Sequence, residues 1–171
     1  MPEPIGRAWI GKQMPRGAWY YSAEEDVGYA GALRSNATIV VRDPVFGEFA
    51  YGGVLTRDGR GVRVIPRDGL RVRFHVIRDA QRLHIVLDHD GFAKEQPIVV
   101  SDDLSRVQFA LENRTGRAHE TGLTVAGLPA GQYDISVDGK NVMTIDGSIG
   151  EKLIALPVSA SSSVRVAIVR R

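Results

Sequence analysis

The residues whose types and spacing could do chemistry lie first in the segment Asp88-His89-Asp90-Gly91, with His84 a few positions earlier. An imidazole and carboxylates at the end of a strand could hold a metal ion or serve as acid and base. A full calcium loop is not predicted, because its further oxygen ligands and distal glutamate are missing. The candidate metal or acid–base residues are therefore His84, Asp88, His89 and Asp90. The alternative is a strand followed by an Asx-Gly turn.

A second candidate is the arginine-rich stretch of residues 57–82. Within it, the alternation of residues 71–76 predicts a strand whose Arg71, Arg73 and His75 point outward. Together with Arg63 they would form a cationic patch for a uronate-bearing polysaccharide or an acidic partner domain, because guanidinium groups bind carboxylates well. The alternative is a solvated arginine face. No zinc-finger, helix-turn-helix or RNA-binding aromatic motif indicates a nucleic acid partner.

The third candidate is aromatic, because five large rings crowd the first thirty residues: Trp9, Trp19, Tyr20, Tyr21 and Tyr29. Aromatic rings can stack on the apolar C–H faces of sugars. Tryptophan and tyrosine also pack cores and interfaces as amphipathic bodies. Sugar contact and packing against the domain or a neighbour therefore both stay open.

Residues 42–53 mix turn residues, aromatics and carboxylates, so Asp43 and Glu48 could form a catalytic pair. The alternative is a turn at Asp43-Pro44 that Phe46 and Phe49 anchor. The sequence has no nucleophile elbow, phosphate loop, dinucleotide fingerprint or metalloprotease helix. It also has no cysteine for a disulfide or a thiolate metal site. We assign no catalytic residue and no cofactor.

The elements that must position these side chains are short, β-branched segments separated by Gly, Pro, Asn or Asp. About ten to twelve of them, with regularly spaced turns, predict an all-β antiparallel sandwich of jelly-roll or Ig-like type. We place this domain at residues 36–171, after an N-terminal extension of residues 1–35 that holds the aromatic cluster. A boundary near residues 113–116, giving two smaller sandwiches, is the alternative.

Three local patterns are specific enough to check. Residues 48–55 read as one strand with a bulge at Gly52-Gly53. Leu83, Ile85 and Leu87 should face inward from a single strand. Asp138-Gly139 indicates a two-residue hairpin.

Length and composition are ordinary for a globular domain: 171 residues, 43% hydrophobic and 25% charged, with a formal net charge of +2. No apolar run reaches the ~20 residues of a membrane span. The first residues do not read as a secretion signal. A cytoplasmic protein, a missing leader and a start inside a longer polypeptide all stay open.

Three stretches carry a resemblance: DPVFGEFAYGG at residues 43–53, VIPRDGL at 64–70 and LPAGQYDISVDGK at 128–140. Together they resemble the β-sandwich region that follows the (α/α) toroid in large bacterial glycoside hydrolase-like and polysaccharide lyase-like proteins. The third stretch also resembles the closing Ig-like modules of secreted glycosidases. The resemblance covers about residues 36–171. It implies a carbohydrate-active context, a secreted or periplasmic location and an accessory role, and it transfers no catalytic residue because the toroid supplies those.

From residues and resemblance we predict a non-catalytic β-sandwich module of a carbohydrate-active enzyme, which supports an adjacent catalytic domain or binds polysaccharide. A small stand-alone enzyme that uses the region around His84 and His89, and a structural interaction domain without ligand, are the alternatives. The predicted glycan-binding residues are Trp9, Trp19, Tyr20, Tyr21, Arg71, Arg73 and His75.

Overall fold

The computed structural model describes residues 36–161 and 163–171, and the regular structure in these ranges consists of β-strands. Their bounds are β1 Ala37–Asp43, β2 Gly47–Tyr51, β3 Gly53–Asp58, β4 Gly61–Pro66, β5 Arg73–Arg78, β6 Gln81–Leu87, β7 Gly91–Phe92, β8 Ile98–Ser101, β9 Arg106–Glu112, β10 His119–Ala126, β11 Gln132–Val137, β12 Lys140–Asp146, β13 Lys152–Val158 and β14 Ser163–Arg170. No helix of the described part has the length and hydropathy for a membrane crossing.

The strands form two mostly antiparallel sheets that pack together as a sandwich, which confirms the predicted fold class. The six-stranded sheet has the order β13-β10-β6-β5-β1-β2. The eight-stranded sheet has the order β12-β11-β14-β9-β8-β4-β3, with β7 paired to β9. Strands from both sides of residues 113–116 pair with each other, since β10 joins β6 and β14 joins β9. The alternative of two separate small sandwiches is therefore wrong.

One apolar core lies between the sheets, and strand alternation supplies it. Leu83, Ile85 and Leu87 are buried as predicted. Phe92 meets the rings of Phe74 and Phe109 edge-on, at centroid distances of 6.3 Å and 5.2 Å. Phe74 belongs to the six-stranded sheet and Phe109 to the other, so Phe92 joins the two layers. Full burial of such side chains stabilises the fold by roughly 1.5–3 kcal/mol each.

The glycine pair at positions 52 and 53 is a crossing between the sheets, and the predicted bulge is wrong. β2 ends at Tyr51 in the six-stranded sheet, and β3 begins at Gly53 in the eight-stranded sheet. Gly52 has φ of 70°, which a residue without Cβ adopts at little cost. Its carbonyl accepts hydrogen bonds from Arg67 N at 2.9 Å and Thr38 Oγ1 at 3.2 Å. These bonds fix the point where the chain changes sheet.

The Asp138-Gly139 hairpin is confirmed, and both residues have positive φ, 49° and 84°. It connects β11 to β12. Asp138 N donates to Arg165 O, and Arg165 N donates to Asp138 Oδ1, each at 2.8 Å. The turn is thereby attached to β14, which pairs with both β11 and β9.

Candidate functional site

The four candidate metal or acid–base residues do not form one site. His84 faces His75, with 2.8 Å between their Nδ1 atoms. Asp88 and His89 contact each other at 2.9 Å, while Asp90 contacts His119. No group of three or more His, Cys, Asp or Glu side chains suited to a metal occurs among residues 36–161 and 163–171. The predicted site is therefore divided over three places.

Asp88 secures the end of β6 to the neighbouring strand. Its Oδ1 accepts hydrogen bonds from Gly122 N at 2.6 Å and Thr121 Oγ1 at 3.1 Å. Desolvation opposes the charged form, but the bonds from Gly122, His89 and Thr121 outweigh it and hold the pKa of Asp88 below its ordinary value. The hydrogen bonds to Thr121 and Gly122 therefore use the Asp88 carboxylate to connect the end of β6 to β10.

The buried Asp90 and the half-buried His119 form a hydrogen-bonded pair that the sequence did not reveal. His119 Nε2 lies 2.7 Å from Asp90 Oδ2, and its Nδ1 lies 2.9 Å from Arg117 O. Both ring nitrogens therefore face acceptors, which suits the doubly protonated imidazolium. The bond to the Arg117 carbonyl and the bond to Asp90 raise the pKa of His119. Since both ring nitrogens are hydrogen-bonded within the domain, the pair serves as a connection between segments.

The predicted cationic face of Arg63, Arg71, Arg73 and His75 is wrong in two respects. Arg71 precedes β5, is 5% exposed, and pairs with Asp68 at 3.1 Å. The outward alternation holds only from Arg73, where the strand begins. Arg63 lies on β4 of the other sheet, so it cannot share an outer face with Arg73 and His75.

His75 and His84 are directly opposed on β5 and β6. Both are half-buried, and their ring centroids are 4.9 Å apart. Desolvation, followed by the charges of His84 and Arg73, lowers the pKa of His75 to about 4. His75 is therefore neutral at physiological pH.

The aromatic candidates Trp9, Trp19, Tyr20 and Tyr21, with Tyr29, lie outside the described residues, as does the whole predicted extension of residues 1–35. Their role in sugar contact stays a prediction.

Asp43 and Glu48 have separate partners. Asp43 Oδ1 accepts hydrogen bonds from Val45 N at 2.7 Å and Phe46 N at 2.9 Å, which makes an Asx turn between β1 and β2. The alternative reading of Asp43 as a turn residue therefore describes it correctly. Phe46 anchors nothing in the described residues, since it is 82% exposed.

Glu48 is the centre of an arginine–carboxylate cluster, which we define as Glu48, Arg42, Arg57, Arg78 and Asp102. Arg78 Nε lies 2.8 Å from Glu48 Oε1, and Arg57 Nη2 lies 3.0 Å from Oε2. Arg42 Nη2 adds a contact of 3.3 Å. Arg57 also reaches Asp102 at 2.7 Å. The cluster connects β1, β2 and β5 of one sheet to β3 and the turn after β8 of the other. Arg78 is its most buried member, at 1% exposure.

A concavity of about 360 Å³ lies on the outer face of the eight-stranded sheet. We call it the groove. It is lined by Gln96 and Pro97 between β7 and β8, residues 108–110 of β9, Ser136, Gly139 and residues 165–167 of β14.

Small side chains give the groove its depth. Ala110 on β9 is opposite Arg165 on β14, and Gln108 is opposite Ala167. Ala167 is in turn opposite Ser136 on β11. Ala93 N donates to Ala110 O at 2.9 Å, which holds the start of the β7–β8 connection beside this floor. The result is a methyl-lined floor between polar walls.

The polar groups of the groove favour hydrogen-bond donation to a ligand. Arg106 Nε donates to Gln108 Oε1 at 3.0 Å. Because arginine can only donate, this bond leaves the Gln108 amide nitrogen free to donate elsewhere. Arg165 is exposed and lines the groove. Gln96, held to Ser163 at 3.2 Å, completes the wall.

Sequence reasoning missed the groove because its residues lie far apart in the chain and have ordinary types. The Asp138-Gly139 turn was its one local signal. Comparison of the chain with protein-family models, with curated proteins and with solved structures finds no match.

Proposed function

We propose that this domain is a non-catalytic module of a carbohydrate-active protein and that it binds an acidic polysaccharide in the groove. The observation that carries the proposal is the methyl-lined floor of Ala110 and Ala167 beside the donors of Gln108 and Arg165. The location, secreted or periplasmic, and an adjacent catalytic domain as second partner follow from the resemblance and belong to the same proposal.

A sugar ring has an apolar C–H face and a polar edge, and the groove has both complements. The methyl groups of Ala110 and Ala167 suit the ring face, while Gln108, Gln96 and Ser136 suit hydroxyl groups. A volume of about 360 Å³ lies at the small end of the ~300–1,000 Å³ that is usual for ligand sites. One or two sugar units of a polymer are the expected occupants.

Arg165 gives the preference for acidic sugars. A guanidinium binds a carboxylate through two parallel hydrogen bonds, which adds both energy and orientation. Arg106 lies beside the groove and carries a second positive charge. A uronate whose carboxylate meets Arg165 would place its ring over the alanine floor.

The test is isothermal titration of the chain with uronic-acid oligosaccharides and with neutral oligosaccharides of equal length. We expect Arg165→Ala to weaken uronate binding about tenfold or more, since a charged hydrogen-bonded pair contributes ~1.5–3 kcal/mol. Arg60→Ala is the matched control, because Arg60 is an exposed arginine in the β3–β4 turn. Uronate binding that Arg165→Ala leaves intact, or no binding to any oligosaccharide, would contradict the proposal.

A further inference from the structure

A row of cross-strand partners continues the floor of the groove over the outer face of the eight-stranded sheet. Ala167 of the groove is opposite Gln108 on β9, and Gln108 is opposite Val99 on β8. Val99 is in turn opposite Arg63 on β4. The row therefore joins the groove to a second arginine near the far edge of the sheet.

We propose that Arg63 is a second carboxylate-binding position for the acidic polysaccharide. The polymer lies across the strands, with one uronate at Arg165 in the groove and another at Arg63. This inference rests on the proposed function, because it extends the same ligand beyond the groove.

Strand alternation places Arg63 on the solvent side of the sheet. Val62 and Val64, which flank it on β4, are fully buried in the core between the sheets. The Arg63 side chain is 45% exposed. β8, which lies between β4 and the groove strand β9, alternates in the same way. A ligand seated in the groove can therefore reach Arg63 without leaving this face.

The surroundings of Arg63 have the same chemistry as the groove. Ile65, two residues along β4, is opposite Val54 on β3, and these two residues are 45% and 66% exposed. In the groove, Arg165 likewise lies two residues from Ala167 on β14. Each place thus offers a guanidinium for a carboxylate and an apolar surface for the C–H face of a sugar ring.

The distance between the two arginines sets the length of ligand that can use both. β9 and β8 separate β14 from β4. Neighbouring strands lie ~4.8 Å apart, so the strands of Arg165 and Arg63 are ~14 Å apart. One strand spacing is close to the length of one sugar unit in an extended polysaccharide. A ligand therefore needs about four units to place a carboxylate at each arginine.

Asp58 competes with the ligand for Arg63. Arg63 Nη1 lies 3.3 Å from Asp58 Oδ2, and the side chains are 45% and 56% exposed. An exposed ion pair of this kind contributes little to stability. The guanidinium can therefore exchange Asp58 for a uronate, and Asp58 reduces the affinity that the second position adds.

The experiment is isothermal titration of the full chain with the dimer and the hexamer of galacturonic acid. We expect Arg63→Ala to weaken hexamer binding about threefold or more, as for a partly exposed charge pair, and to leave dimer binding unchanged. Arg165→Ala should weaken the binding of both ligands. Arg60→Ala is the control, since it removes an exposed arginine from the neighbouring β3–β4 turn, and it should bind both ligands as the wild type does.

A second variant tests the same position without removing Arg63. Asp58→Asn frees the guanidinium from its carboxylate partner, so it should strengthen hexamer binding and leave dimer binding unchanged. Hexamer binding that Arg165→Ala weakens but that Arg63→Ala and Asp58→Asn leave unchanged would overturn this inference and keep the proposed function. Absence of uronate binding to the wild type would overturn both.

Discussion

The chain passes from the six-stranded to the eight-stranded sheet several times, and at two of these crossings, at Gly52 and at residues 88–90, a buried carboxylate secures the connection. At the first, the Glu48 side chain is 10% exposed and meets three arginines. At the second, the Asp90 side chain is 1% exposed and meets His119. Each crossing also has one residue with left-handed φ, 70° at Gly52 and 51° at Asp90.

The two crossings differ in whether the cation that pairs with the carboxylate keeps its charge as the pH changes. Arginine stays charged over the whole working range of proteins, whereas histidine changes charge near neutral pH. The Glu48 crossing also connects far more of the fold, because its arginines come from three strands. The Glu48 crossing is thus held by a network whose charges do not change with pH, and the Asp90 crossing by a pair whose histidine is titratable.

The largest expected effect is that of Glu48→Ala. It leaves Arg78, which is 1% exposed, with Asp102 at 3.8 Å as its remaining carboxylate contact. Removing one partner of a buried ion pair costs about 3–5 kcal/mol. Denaturant unfolding should show that loss, while Glu95→Ala, whose side chain is 80% exposed, should change stability by less than ~0.5 kcal/mol. A loss below ~1 kcal/mol for Glu48→Ala would mean that the cluster does not hold the sheets together.

Asp90→Asn should have a smaller effect. Asparagine tolerates the left-handed backbone of Asp90, so the substitution removes the charge and keeps the turn. The lost charge-assisted bond to His119 should reduce the free energy of unfolding by less than Glu48→Ala does, because His119 is partly exposed to solvent. The same denaturant titration measures it. A loss greater than that of Glu48→Ala would reverse the ranking of the two crossings.

The smallest effect is a pH dependence at the second crossing. The pKa of His119 is raised in the folded protein, so the folded state binds more protons than the unfolded chain between the ordinary value near 6.5 and the raised one. The stabilisation is complete below the ordinary value and is lost as the pH rises through the folded value. We expect the stability difference between wild type and His119→Gln to shrink with rising pH across that window. His75, whose lowered pKa acts in the opposite sense, is present in both proteins and cancels. A difference independent of pH would show that Asp90 and His119 are not paired in solution.

The fold was predictable because the alternation of apolar and polar side chains along a strand can be read from neighbouring residues. The pattern around Leu83 predicts which side chains face inward, and Asp138-Gly139 predicts its own turn. Alternation does not say to which sheet a strand belongs. For that reason residues 48–55 read as one bulged strand, and Arg63 was grouped with Arg73.

The sites were harder to predict because they depend on strand order. Asp90 and His119 are 29 positions apart, and they meet only because β6 pairs with β10. Gln108 and Ala167 meet because β14 pairs with β9. Arg71 was misassigned for a different reason, since it lies before the strand whose alternation it appeared to continue.

Among the described strands, β2 lies at an edge of the six-stranded sheet, and the backbone groups of an edge strand can recruit a strand from another molecule. At the opposite edge, β13 contains Lys152 and Pro157, and proline has no N–H to offer. β2 contains no lysine and no proline, but its Glu48 points inward. An inward charge makes it unfavourable to extend the apolar layer into an added strand. We therefore expect Glu48 to disfavour edge-to-edge aggregation as well as to hold the two sheets together.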